Sequence, residues 1–181
     1  MLFNSIITQK RIVMLLLLAV MLFTALLYGC SGANFTACEY PNISDPYTIE
    51  FINNGITVQG EINYTNSNNI TVTYLSPRSI KGFSVAVNGD RCNLSFKDMT
   101  SKNNVIPFAP DSPVDVVINA FECCEKGEAE LLWSKTGQCC YTAAKGSKEY
   151  KIICDSKTGN IEEIIFQDKK IDLDPKTEPA A

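Results

Sequence analysis

The stretch Tyr47–Thr65, YTIEFINNGITVQGEINYT, decides the fold. Asn54-Gly55 sits between two runs that alternate apolar and polar. Asn-Gly is the pair that best accepts positive φ at both central positions of a two-residue hairpin turn. Folding the chain there sets Phe51 opposite Val58, Ile49 opposite Gly60 and Tyr47 opposite Ile62 on one face. The other face sets Glu50 against Gln59 and Thr48 against Glu61. A strand turns successive side chains to opposite faces, so this hairpin has one apolar side and one wet side.

The same period runs outward. Asn66–Asn69 is a polar turn, and ITVTYLSP then puts Ile70, Val72 and Tyr74 on one face. Pairing Tyr64 with Ile70 and Ile62 with Val72 keeps the apolar face continuous over three strands, a consistency across levels that marks a foldable pattern. GFSVAV and RCNLSF form a second hairpin about Asn88-Gly89, with Cys92 and Leu94 opposite Val85 and Phe83. Val105–Phe108 is a further short strand, confined to an edge by Pro107. One helix interrupts, at Ser112–Glu125. Asp111-Ser-Pro-Val-Asp115 supplies a cap, Pro in the first turn and an acid near the positive end of the helix dipole. Val114, Val117, Ile118 and Phe121 recur at i, i+3, i+4 and i+7, and Gly127 stops the helix. Strands follow near Ala129–Ser134, Gln138–Ala143, Lys148–Cys154, Ile161–Gln167 and Lys170–Leu173. The expected fold is mainly β (α+β), a strongly curled antiparallel sheet or half-open barrel of about ten strands with the helix as a lid.

The N-terminus reads as a targeting segment. Lys10 and Arg11 precede an uncharged apolar run from Ile12 to Tyr28, the arrangement of an export signal. The run ends in Leu27-Tyr28-Gly29-Cys30. A small residue directly before a cysteine is the pattern of a bacterial lipobox, with Cys30 as the lipid anchor. The alternative is an uncleaved transmembrane anchor, since about 18 apolar residues can just span a bilayer. Both place the body outside the cytoplasm, tethered to the membrane. The expected organisation is a signal peptide over 1–29, a lipidated cysteine and tether over 30–46, a β domain over 47–174 and a flexible tail over 175–181.

Composition narrows the chemistry. The chain of 181 residues has no histidine, which removes the commonest general base and metal ligand. Of its 16 basic residues, two fall in the signal, which leaves 14 − 20 = −6 for the remainder. Lys and Arg are scattered, which argues against a nucleic-acid partner and against a polybasic grip on lipid headgroups. Cys30 aside, seven cysteines remain: Cys38, Cys92, Cys123, Cys124, Cys139, Cys140 and Cys154. A bridge between the doublets Cys123-Cys124 and Cys139-Cys140 is a candidate, and it staples helix to sheet. An odd number leaves at least one thiol free or intermolecular. No Cys-x-x-Cys accompanies them, so neither a metal nor a cofactor is expected. Nor does an enzyme's nucleophile–base pair occur. Five Asn-x-Ser/Thr sequons read as chance in an Asn-rich bacterial sequence, and Trp133 reads as core.

The layout from YLSPRSIKGFSVAVNGDRCNLSF (Tyr74–Phe96), through the helix, to DSKTGNIEEIIFQDKKIDL (Asp155–Leu173) resembles Gram-positive cell-surface lipoproteins similar to the LolA/LolB lipoprotein-carrier superfamily. The resemblance covers Tyr47–Asp174. It implies a half-open barrel with a helical lid over an apolar cavity that accepts acyl chains. The chain departs from the carriers in having no helix before its first strand and in carrying an anchor.

A width argument points the same way from the residues alone. Ten strands at about 4.8 Å make a sheet roughly 48 Å wide, and a helix is about 10 Å across. An apolar groove is therefore expected between sheet and helix, lined by Phe51, Val58, Ile62, Val72, Tyr74, Phe83, Val85, Val117, Ile118 and Phe121. The expected function is a membrane-anchored extracytoplasmic lipoprotein that binds a lipid or acyl chain there. The alternative is a cell-surface interaction module that holds an envelope or cell-wall protein and has no ligand.

Overall fold

The computed structural model describes residues 37–43, 46–103 and 108–176. Eleven strands form one antiparallel sheet: β1 (Tyr47–Asn53), β2 (Ile56–Asn66), β3 (Asn69–Ser76), β4 (Ser84–Asn88), β5 (Arg91–Phe96), β6 (Met99–Asn103), β7 (Glu130–Lys135), β8 (Gln138–Lys145), β9 (Lys148–Asp155), β10 (Ile161–Phe166) and β11 (Lys169–Pro175). A single helix among the described residues, α1 (Pro113–Glu125), lies between β6 and β7 in the chain. The spatial order is β6-β5-β4-β3-β2-β1-β11-β10-β9-β8-β7. Two meanders thus meet where the first strand pairs with the last, and β6 and β7 are left as the two edges. The sheet curls without closing, as a half-open barrel.

The decisive hairpin has the expected register: Phe51 faces Val58, Ile49 faces Gly60 and Tyr47 faces Ile62. Asn54 and Gly55 take φ of 50° and 77°, so both turn residues are left-handed. Tyr64 faces Ile70 and Ile62 faces Val72, again as the alternation requires. The second hairpin differs. Its turn is Gly89-Asp90, Asn88 stays in the strand opposite Arg91, and Val85 faces Leu94 instead of Cys92. Only Gly89, the first turn residue, has positive φ, the signature of a type II′ turn. The displacement is even, so the apolar face survives.

Helix α1 starts at Ser112, whose side chain accepts from the Asp115 amide, with Pro113 at the first helical position. At its other end Gly127 N–H donates to Cys124 and Glu128 N–H to Cys123, a Schellman closure. The helix buries Val114, Val116, Val117, Ala120, Phe121, Cys123 and Cys124. Phe121 is the centre of the core. Its ring lies 5.5 Å from Tyr47 and 5.4 Å from Tyr64, the second pair edge-on. Lys145 and Lys148, which flank the β8–β9 turn, reach Glu122 at 2.6 Å and Asp111 at 2.5 Å and tie both helix ends to that hairpin.

Several expectations are corrected. Strand β6, MTSKN, was not expected, and of the strand placed at Val105–Phe108 only Phe108 is described, in a bend. The second half of the expected tether is fastened to the sheet. Cys38 is bonded to Cys139, Glu39 N–H donates to Ser156 at 3.0 Å and Asn42 N–H to Gly159 at 2.8 Å. The backbone passes so close to Gly159 (φ 69°) that a β-carbon there would sit 2.2 Å from the Tyr40 carbonyl oxygen. The bridge Cys38–Cys139 also replaces the one expected between doublets: Cys123, Cys124 and Cys140 are buried free thiols, as are Cys92 and Cys154. At the C-terminus the strand extends to Pro175 and Lys176 is held to Glu61 at 2.5 Å, while the rest of the expected tail, 177–181, lies outside the described residues. The signal segment and Cys30 lie outside the described residues. No helix among the described residues is long and apolar enough to cross a membrane.

Candidate functional site

The expected groove residues separate into two groups. Phe51, Val58, Ile62, Val72, Val85, Val117 and Phe121 are sealed in the core, and Tyr74, Phe83 and Ile118 are only partly buried. No wide groove therefore runs the length of the helix. The sheet curls around α1, which packs on β2 and β8–β11 and meets β1 through Tyr47. Strands β3–β6 make no comparable contact with it.

That arm carries the candidate site. Tyr74 on β3, Ile80 and Phe83 in the β3–β4 loop, and Leu94 and Phe96 on β5 are all half-buried on the apolar side. Their rings step across the strands, Tyr74 to Phe83 at 5.9 Å and Phe83 to Phe96 at 6.3 Å. Backbone bonds hold this arrangement: Tyr74 N–H donates to Phe83 at 2.9 Å, and Gly82 N–H donates back to Tyr74 at 2.8 Å. Met99, two-thirds exposed, faces Phe96 on the edge strand. Phe83, Leu94, Phe96 and Met99, together with Ser95, Asp98, Thr100 and Ser101, line an open depression of about 580 Å³, and Tyr74 adjoins it through Phe83. That volume is in the range of small-molecule sites. The alternation in RCNLSF already placed Leu94 on this face, and Phe96 follows by the same step of two. Met99 had no such signal, because β6 has no apolar period.

The site's electrostatics are those of an apolar shelf with a polar rim. Burial pushes the Tyr74 phenol above its ordinary range, and among the described residues its hydroxyl has no hydrogen-bond partner. The Lys97 ammonium lies 5.2 Å from the Phe96 ring centre at the outer edge. Another depression, of about 630 Å³, opens beside the start of α1, but Glu50, Asp111, Asp168, Lys169, Lys170 and Asp172 line it. An apolar chain there would desolvate charges, so the shelf is the better apolar site.

Among the described residues the free cysteines are all buried. Burial raises the thiols of Cys92, Cys123, Cys124, Cys140 and Cys154, and Cys124 is pushed up to about 12. An attacking thiol needs the opposite shift. Among the described residues no group of His, Cys, Asp and Glu is arranged to hold a metal ion. Trp133 corrects its reading as core. It is half-buried on edge strand β7, with the Lys135 ammonium 4.8 Å above its ring.

No family model matches the chain, and no curated protein matches it. Among solved structures it is similar to an uncharacterized conserved protein from Thermus thermophilus, with 8% identity and a TM-score of 0.44 over 75% of this chain and 82% of that one. It is also similar to a LolA superfamily protein from Nitrosomonas europaea, with 11% identity and a TM-score of 0.42 over 80% of this chain and 92% of that one. Values this low establish neither a shared family nor a shared activity.

Proposed function

We propose that the protein is a membrane-anchored extracytoplasmic lipoprotein that binds an apolar chain, of lipid or acyl type, on the shelf formed by Tyr74, Phe83, Leu94, Phe96 and Met99. The observation that carries this reading is the half-buried aromatic step from β3 to β5, with which α1 makes no contact comparable to those on β2 and β8–β11. Exposed contiguous apolar surface is uncommon in a protein that does not use it. The Cys38–Cys139 bridge supports an oxidising compartment, as the export signal does. The raised thiols and the absence of histidine favour binding over catalysis.

From β3 to β6 the shelf crosses three strand spacings, about 14 Å. An acyl chain laid across it removes about eight methylenes from water, a gain of roughly 6 kcal/mol at about 0.8 each. That corresponds to a Kd on the order of tens of micromolar.

A fluorescent fatty acid titrated into the full chain in detergent below its micelle concentration tests this. The expected result is saturable binding in that range. Phe96→Ser and Leu94→Ser weaken it about tenfold, the loss of roughly 1.4 kcal/mol of buried apolar contact. Ile52→Ser, at an exposed site outside the shelf, leaves it unchanged. Binding that does not saturate below about 100 micromolar, near −5.5 kcal/mol, refutes the proposal.

A further inference from the structure

Three of the five Asn-x-Ser/Thr triplets lie on strands of one arm, at Asn63, Asn69 and Asn93, and a fourth lies in the docked segment at Asn42. Asn34 lies outside the described residues. With 15 asparagines and 26 serines and threonines in 181 residues, chance gives about two such triplets, 15 × 26/181, and the chain has five.

The structure sorts them. Asn63 and Thr65 on β2 are exposed together, because residues two apart on a strand share a face. Asn93 on β5 is exposed, and Ser95 lies half-buried on the same face. Their chain neighbours Ile62, Tyr64, Cys92 and Leu94 pack toward the core, so both triplets are on the outer face of the sheet. They also stand in one row: Asn63 faces Thr71, Thr71 faces Ala86 and Ala86 faces Asn93. Three strand spacings, about 14 Å, separate the two asparagines. The other two triplets are engaged elsewhere. Asn42 is half-buried, its Nδ2 donates to Asn160 Oδ1 at 3.3 Å, and its backbone is fastened to Gly159. Asn69 is half-buried as well, and its Nδ2 donates to Asn66 Oδ1 at 3.1 Å within the β2–β3 turn.

The row differs from the rest of the outer face. On β10 and β11 that face carries ion pairs, Lys170 with Glu163 at 2.9 Å and with Asp172 at 3.1 Å. Between Asn63 and Asn93 it carries only Thr71 and Ala86, with no charge and no large apolar side chain. Ala86, Asn63, Thr65 and Asn93 help to line a shallow hollow of about 240 Å³. Amides and hydroxyls around a small residue can exchange hydrogen bonds with sugar hydroxyls without desolvating a charge.

We propose that Asn63 and Asn93 are the acceptors of N-linked oligosaccharide, and that Asn42 and Asn69 are not. This rests on the extracytoplasmic reading above, because Asn-x-Ser/Thr is an acceptor on exported chains. In the transfer, Asn Nδ2 bonds to the anomeric carbon of an oligosaccharide carried on a lipid phosphate. The bond from that carbon to the phosphate oxygen breaks, its electron pair leaves with the phosphate, and the leaving group takes up the proton that Nδ2 loses. The glycans cover the back of β2–β5, and the aromatic shelf on the opposite face of the arm stays bare.

The full chain is recovered from the membranes of its own cells and digested, and its peptides are mapped by mass spectrometry with fragmentation. The expected result is a glycan mass on Asn63 and on Asn93, with Asn42 and Asn69 at their plain masses. Asn63→Gln and Asn93→Gln each remove one glycan from the intact chain. Thr65→Ala removes the same glycan as Asn63→Gln, although Asn63 is retained. All three positions are exposed, so these variants keep the fold. Chain recovered from the membrane with Asn63 and Asn93 unmodified overturns the proposal and leaves the anchored reading standing. Glycan confined to Asn42 or Asn69, or a Thr65→Ala chain still modified at Asn63, overturns it too. Chain recovered only from the cytosol removes the anchored reading and the proposal together.

Discussion

The bond between Cys38 and Cys139 joins a segment without periodicity to β8, the strand beside the β7 edge, across a separation of 101 residues. Closing a loop of that length removes about 16 cal/mol/K from the unfolded chain, or about 4.7 kcal/mol at 25 °C in the chain-entropy account. Removing a native bridge typically costs about 2–5 kcal/mol, and for a loop this long a loss of about 3–5 kcal/mol is expected. For a domain of this size that lowers Tm by roughly 10–15 °C. The test is a cycle of Cys38→Ala, Cys139→Ala and the double variant, followed by urea unfolding. If the bridge acts as a cross-link, each single variant loses nearly the whole effect. The double variant is then worse than the lower single by no more than about 0.5 kcal/mol. The m-value rises in all three, because the uncrosslinked chain exposes more surface when unfolded. Cys154 lies directly across the β8–β9 pair from Cys139, so the Cys38→Ala variant is measured with reductant as well, to prevent a substitute bridge. Wild-type protein treated with reductant should match the variants. Strictly additive single losses, or a reduced wild type that unfolds like the oxidised one, refute the reasoning. In that case the hydrogen bonds from Glu39 and Asn42 hold the segment without help.

Burial also makes the stability depend on pH. It holds the Cys124 thiol at about 12 in the folded state against an ordinary 9.0, and Cys154 is raised by the same cause. A raised folded pKa means the unfolded chain loses its proton first, so the stability these thiols contribute is whole below about pH 9 and is lost as pH rises toward 12. Unfolding free energy from urea titrations should fall by about 1.4 kcal/mol per pH unit per thiol across that window, with a shallower slope for Cys124→Ala. Gly159→Ala places a methyl group against the Tyr40 carbonyl at a positive-φ position, and should cost about 2–4 kcal/mol while speeding amide exchange at Glu39 and Asn42. Ser112→Ala removes the acceptor for the Asp115 amide and should cost about 1 kcal/mol in thermal unfolding, without affecting fatty-acid binding.

The parts of this fold that could be read from sequence are those in which two signals coincide. At Asn54-Gly55 a turn that tolerates only a few residue types meets an alternation with one buried face, and slipping the register by one would turn Ile49 and Ile62 into water. At Asn88-Gly89 the same Asn-Gly signal misplaced the turn by one residue, and alternation cannot correct it, because a turn at Asn88-Gly89 and one at Gly89-Asp90 bury the same face. Strand β6 had neither signal. An edge strand beyond the core has no reason to alternate, and MTSKN does not. The docking of Cys38 and Tyr40 was hidden for a related reason. What fixes that segment is a bridge, a few backbone bonds and the space above Gly159, none of which leaves a period. The groove was overestimated because its width was reckoned on a flat sheet. A curled sheet wraps its own helix, so α1 can seal β2 and β8–β11 together with Tyr47 of β1, and the uncovered apolar surface contracts to the arm that curls least around it. On that arm the partly exposed rings are the same ones that the period of two had aligned, so the sequence could tell which side chains share the face but not which of them the helix would leave in water.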